Sequence, residues 1–188
     1  MSCTLTAGRL EPCKDSIGGL KAVFFLNSGF TTVEDVNEIV TDINDGASTP
    51  GAITMYKYDL KDASNLDETI TSSRETGTTF FSQVLNLVLK KLDSSTRKEV
   101  KLMAYGSPSM VVWDNNDNLL LVGKERGADV TGGNITTGTA LGDLSGYTIA
   151  LTAMEKAPAN FITLGTDKTD ASYPFDDLTT PPTIVSGS

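Results

Sequence analysis

The chain has 188 residues, with 15 Lys and Arg against 24 Asp and Glu, a formal charge of −9, and no histidine. The missing imidazole excludes Ser-His-Asp and Cys-His catalysis, imidazole general bases and His-dependent zinc sites. The acidic balance argues against a protein that wraps nucleic acid, because phosphate binding draws on a surplus of Lys and Arg. Hydrophobic residues at 39% and charged ones at 21% describe a chain that folds, and its length suits one domain, or one domain with an arm.

Residues 1–19 are polar, with Pro12 and the Gly18-Gly19 pair, and read as an extended arm without the apolar core of a signal peptide. Cys3 and Cys13 are expected to be reduced thiols of a cytosolic chain, and their pairing is left open. Residues 20–26 (LKAVFFL) predict a strand, stopped by Asn27-Ser28-Gly29. Residues 32–41 suit either two helical turns or an irregular strand. Residues 42–51 read as a loop, with turn signals at Asn44-Asp45-Gly46 and Pro50-Gly51. Residues 53–60 alternate, and the even set with Tyr56, Tyr58 and Leu60 is the apolar one, as in a strand with one buried face.

Residues 69–73 predict a strand and 75–78 a turn. The stretch 79–92 (TFFSQVLNLVLKKL) carries two patterns. Phe81, Gln83, Leu85, Leu87 and Leu89 alternate as in a strand, whereas Phe80, Phe81, Val84, Leu85, Val88 and Leu92 fit a helical stripe. The Thr-rich entry favours the strand, as the second arm of a long hairpin. Residues 94–104 predict a helix capped by Ser94 or Ser95. Residues 110–113 and 119–123 are apolar runs joined by a polar turn, a hairpin signature. Residues 127–146, with six glycines, read as a long loop or a pair of bent strands. Residues 147–154 alternate as a strand, 161–164 add a short one, and 165–188, rich in Asp and Pro, read as an extended acidic tail.

Few constellations carry chemistry. Asp114, Asn116, Asn118 and Glu125 match positions 1, 3, 5 and 12 of a calcium loop. Leu119 stands where that loop needs glycine, and the flanks read as strands, so a solvated hairpin turn is expected and no metal or other cofactor is assigned. Gly123-Lys124 lacks the upstream glycine and the following Ser or Thr of a phosphate loop. The acidic pairs Asp167/Asp170 and Asp176-Asp177 sit in the expected tail with nothing to perturb them. No catalytic residues are identified, and the chain is read as a non-enzyme.

Charge is unevenly spread. Residues 27–75 hold ten acidic residues and three basic ones, including Glu34, Asp35, Asp42 and Asp45. Residues 90–101 reverse the sign with Lys90, Lys91, Arg97, Lys98 and Lys101 against Asp93 and Glu99. A molecule with separated signs can pack head to tail with copies of itself, and contacts of that kind make rings or filaments. These nine residues are the candidates for self-assembly.

The runs Met110-Val111-Val112-Trp113-Asp114, Leu120-Leu121-Val122-Gly123-Lys124, Gly138-Thr139-Ala140, Gly142-Asp143-Leu144, Gly146-Tyr147-Thr148-Ile149 and Glu155 to Pro158-Ala159 resemble the tail tube proteins of tailed bacteriophages. So does the opening from Gly8 to Lys21. The layout spans about 50 residues, and it departs from the pattern at Asn118, where such turns often carry Gly. The resemblance implies a mainly β fold, a β-sandwich or small β-barrel with one short α-helix and extended arms. It implies a virion protein, assembled in the bacterial cytoplasm, whose copies form stacked, hexameric rings with other tail proteins as neighbours. DNA would pass through the lumen without specific binding, and no membrane is involved. On this reading 1–19 is an arm, 20–164 the domain and 165–188 a tail, with 1–19, 41–52, 72–79 and 165–188 as the intersubunit contacts. The alternatives are a tail terminator, baseplate ring or head decoration protein, or a calcium-stabilised β binding module.

Overall fold

The computed structural model describes residues 8–10, 14–35, 37–61 and 64–187; Cys3 and Cys13 lie outside them. In chain order the elements are β1 (Leu20–Leu26), β2 (Thr31–Glu34), β3 (Val40–Asn44), β4 (Thr54–Asp59), β5 (Asn65–Ser73), β6 (Thr78–Lys90), α1 (Ser94–Tyr105), β7 (Ser109–Asp114), β8 (Leu119–Val122), β9 (Asp129–Thr136), β10 (Gly146–Glu155), β11 (Asn160–Ile162) and β12 (Thr183–Ser186). One sheet runs β12-β4-β1-β7-β8-β11-β3-β2, and a second runs β5-β6-β10-β9. The fold is therefore mainly β, two sheets and a single helix, as the residue pattern predicts.

β1 is central, antiparallel to β4 on one side and β7 on the other. Its side chains alternate between two cores. Val23 and Phe25 face the space between the sheets, with Leu85, Leu87, Tyr147 and Leu151. Ala22, Phe24 and Leu26 face the opposite way, with Met55, Val111, Leu121 and Phe175. A strand covered on both faces needs apolar residues at every position, which is why LKAVFFL is a continuous run.

The cover over that second core corrects the expectation of an extended tail. Residues 165–182 turn back over the eight-stranded sheet and bury Phe175 and Leu178. The Phe175 ring meets Phe24 edge-on at 4.8 Å, and Tyr173 meets Trp113 at 5.6 Å. The chain then joins the sheet as β12, parallel to β4, with Ile184 opposite Met55. The boundary expected at residue 164 has no counterpart, because 165–187 completes the same body. Nor are its acids all solvated. Asp176 Oδ2 accepts the Thr166 and Asp167 N–H groups at 3.0 and 2.8 Å, and its Oδ1 is buried.

Residues 79–92 follow the strand pattern through Lys90. β6 pairs with β5 and β10 over most of its length, and Gln83, Leu85, Leu87 and Leu89 are its buried set. Residues 32–41 are the ends of two strands joined by a turn, not helical, and β3 takes the first three residues of the expected 42–51 loop. In β4 the even set is not the only buried one. Met55 is buried in the outer core while Tyr56 is exposed, since both faces of this sheet are covered in part. Part of the glycine-rich 127–146 stretch is β9, an edge strand whose pairing with β10 shifts register at Thr131.

α1 starts one residue earlier in its cap than expected. The Asp93 carboxylate, not Ser94 or Ser95, accepts the Ser95 and Thr96 N–H groups at 3.1 and 3.3 Å, and Asp caps as well as Ser does. The helix buries Met103 and packs Val100 against the core between the sheets, where Leu92, just before its cap, also packs. It lies beside β9, and Glu99 shares a groove with Tyr56 and Tyr58 of β4. One side of the sandwich is closed in this way. The turn before β9 depends on Gly127, at φ +72°, where a Cβ would overlap the Ser107 carbonyl.

Candidate assembly surfaces

The calcium-like spacing is a hydrogen-bonded turn. Asp114 Oδ1 accepts the N–H groups of Asn116 and Asn118 at 2.8 and 2.7 Å, and its Oδ2 accepts Asn118 Nδ2 at 2.8 Å. Asp117, with φ 65°, takes the left-handed position expected for glycine at Asn118, and short polar residues tolerate it. Asn116 turns to the arm, giving Nδ2 to the Ile17 carbonyl and accepting the Ile17 N–H, both at 2.8 Å. Asn115 holds the Gly18 carbonyl at 2.8 Å. Lys21 pairs with Asp117, and its hydrogen bond is the main reason that the Asp117 carboxyl is held below the usual range. Glu125 is not gathered into this turn. Its N–H goes to Glu155 and its carboxylate faces Lys156 at 3.9 Å. Among the described residues no group of three His, Cys, Asp or Glu side chains could hold a metal. The metal candidate set is therefore not assembled, and Asn115 and Asn116 have a role the spacing did not reveal, fastening residues 17–19.

A second polar node ties the layers together. Glu155 is buried, and its Oε1 accepts the Glu125 and Arg126 N–H groups, both at 3.0 Å. Gln83 is buried as well. It accepts the Gly123 N–H at 3.1 Å and donates to Glu68 at 2.9 Å, which also takes the Ala159 N–H at 2.9 Å. Buried polar groups must be paired, and here the pairing fixes the β8–β9 turn over the four-stranded sheet.

The candidate acids divide into separate tasks. Asp42 corrects its assignment to an intersubunit surface: it is buried, accepting Asn44 Nδ2 at 2.7 Å and the Thr180 N–H at 2.9 Å, and so anchors the C-terminal cover. Asp35 Oδ1 accepts the N–H groups of Asn37 and Ile39 at 2.8 and 3.0 Å; the Ile39 bond most lowers its pKa. Asp45 Oδ1 accepts Gly51 N–H and Ala47 N–H at 2.9 and 3.1 Å and is lowered for the same reason. Glu34 pairs with Lys124. Asp35, Asp45 and Glu38 stay exposed.

The basic segment also divides. Lys90 closes β6, and Lys91, with φ 71°, turns the chain towards the helix. Arg97, Lys98 and Lys101 lie exposed on α1, with Leu102 and Tyr105 exposed beside them and the Lys101 ammonium 6.0 Å from the Tyr105 ring centre. Behind them a groove of about 560 Å³ runs between α1 and β4, lined by Phe25, Tyr56, Tyr58, Glu99 and Met103. Burial, with a smaller contribution from the Glu99 charge, pushes the Tyr58 phenol up to about 12.

The four-stranded sheet ends in β5 and β9, each paired on one side only. Opposite to the buried set of β6 and β10 stand Ser82, Val84, Asn86, Thr148, Ala150 and Thr152, half-buried side chains on the sheet's outer face. The Thr131 and Thr152 hydroxyls meet on that face at 2.9 Å. No helix of the described residues is long and apolar enough to cross a membrane. Comparison with family models, curated proteins and solved structures gives no match.

Proposed function

We propose that this chain is a structural virion protein of a phage tail, whose copies close into rings, six to a ring by the family resemblance, and stack into a tube that conducts DNA. The observation that carries the reading is the four-stranded sheet. Its edge strands β5 and β9 offer unpaired backbone groups to neighbours, and strand edges left open in this way are natural sites of addition. Its outer face mixes Ser82, Asn86, Thr148, Ala150 and Thr152 with the apolar Phe80, Val84, Val88 and Met154, and carries Asp67 on its β5 margin and Lys90 at its end. Phosphate binding needs clustered Lys and Arg. A wall of this composition, in a chain of charge −9, would let DNA slide past without being held. The long β5–β6 hairpin, exposed at Arg74–Gly77, would reach a neighbouring ring, where other tail proteins take over at the tube's ends.

Negative-stain microscopy of the purified full chain, with sedimentation velocity, tests the reading. Rings or tubes are expected. Single closed rings that never stack would move the chain to a terminator or baseplate role, and monodisperse monomers at high concentration would overturn the proposal.

A further inference from the structure

The two signs of charge sit on different elements of the fold, the cations on α1 and the acids at the β2–β3 turn. α1 lies on the side of β4 and β9, and its one carboxylate, Glu99, lines the groove with Tyr56 and Tyr58. The cations Arg97, Lys98 and Lys101 are left on the exposed side, around the exposed Leu102 and Tyr105. The acidic side is formed by β2, β3 and β11, at one end of the eight-stranded sheet. It carries the exposed acids Asp35 and Glu38, with Glu34 paired to Lys124 of the same chain, and also the exposed apolar residues Val33 and Phe161. Asn160, next to Phe161, donates to the Glu38 carbonyl at 2.9 Å, which places the aromatic ring's strand beside the acidic turn.

We propose that the exposed side of α1 docks onto the β2–β3–β11 side of a second copy of this chain, as the lateral contact within a ring. Each side offers two exposed apolar side chains within a charged surround, and the surrounds have opposite sign. That is the composition of a protein interface, with an apolar centre and a polar margin. Because the two halves are different surfaces of one molecule, the contact is heterologous and repeats from copy to copy, which closes into a ring when the rotation allows. The inference rests on the tube reading and names the surface that would carry it.

The test uses three full-length variants. One reverses the helix (Arg97→Glu, Lys98→Glu, Lys101→Glu), one reverses the exposed acid of the turn (Glu38→Lys), and one combines all four changes. Circular dichroism checks folding, and sedimentation velocity gives the concentration at which half the chain is assembled. Each one-sided reversal should raise that concentration about tenfold or more, and the combined chain should bring it back towards the parent's. Neutral Gln replacements at the three helix positions should give a smaller rise, and supply the test if a reversed variant fails to fold. Unchanged assembly of the helix variants, in a parent that does form rings, would overturn this contact and leave the tube reading standing. Failure of the combined chain to recover would also overturn the pairing. A parent that stays monomeric would remove both.

Discussion

Replacing Phe175 with Ala tests whether residues 165–187 are a structural layer. The ring is fully buried, meets Phe24 at 4.8 Å and shares its core with Met55, Val111 and Leu121. Burying such a side chain contributes about 1.5–3 kcal/mol, and the cavity left behind raises the cost of Phe→Ala in a core to about 3–5 kcal/mol. Set against a typical domain stability of about 5–15 kcal/mol, that loss is large. Urea unfolding can be followed by the fluorescence of Trp113, the chain's single tryptophan, and by circular dichroism of the strands. Trp113 touches Tyr173 in the cover, so its signal reports on the cover, while dichroism reports on the sheets. The two transitions should coincide and both move to lower urea. Leu141→Ala, at a fully exposed position, serves as the control and should shift by less than about 0.5 kcal/mol. A Phe175→Ala loss below about 1 kcal/mol would refute the layer. So would a fluorescence transition that separates from an unmoved dichroism transition, since the cover would then be a detachable flap.

Gly165→Ala should cost about 1–3 kcal/mol in thermal or urea melts, because its Cβ would overlap the Asp176 carboxylate, which is fixed by two backbone N–H groups; Gly142→Ala, in open space, should change little. Asp114→Ala should cost about 1–3 kcal/mol through the lost bonds to Asn116 and Asn118, and calcium should leave the parent's melting temperature unmoved; a calcium-dependent rise abolished in Asp114→Ala would revive the ion-binding turn. The Tyr58 phenol should titrate at about 12 in ultraviolet difference spectra, and Glu99→Gln should lower that value. Since the folded state holds this proton more tightly than the unfolded one, the associated stability is complete below about 10 and is lost as pH rises through about 12. A Tyr58 titration at the ordinary value of 10.0 would contradict the burial of its phenol.

Most of the sheet framework was legible because it rests on short-range pattern. The alternation of Gln83, Leu85, Leu87 and Leu89 identified β6, and the polar turn between 113 and 119 identified the β7–β8 hairpin. The cover was missed for a compositional reason: Phe175 and Leu178 are isolated among Asp, Thr and Pro, so no periodicity announces them. The signal lay elsewhere, in β1 and β7. Runs as continuous as LKAVFFL and MVVW demand a layer on each face, and the four-stranded sheet can supply only one. Asp42 was misplaced because its burial depends on Thr180, which is 138 residues away in sequence and outside the reach of any local pattern. The turn at 114–118 was legible as a turn, but nothing local showed that Asn115 and Asn116 hold backbone groups of the arm, 97 and 99 residues away in sequence.

The internal engagement of residues 17–19 and 165–187 changes what assembly must rely on. Of the segments expected to bridge neighbours, residues 17–19 are held by Asn115 and Asn116, and 165–187 closes the outer core. Both core clusters are built from residues of one copy, and the C-terminal cover contributes Phe175 and Leu178 to the outer one. Among the described residues the surfaces open to contact include the basic side of α1, the acidic turn after β2, the β5–β6 tip and the edges β5 and β9. Contacts built from exposed charge and single apolar side chains are individually weak and salt-sensitive. In the proposed ring every such contact would be made at once, so a chain that is monomeric when dilute would still form a stable wall once rings closed and stacked.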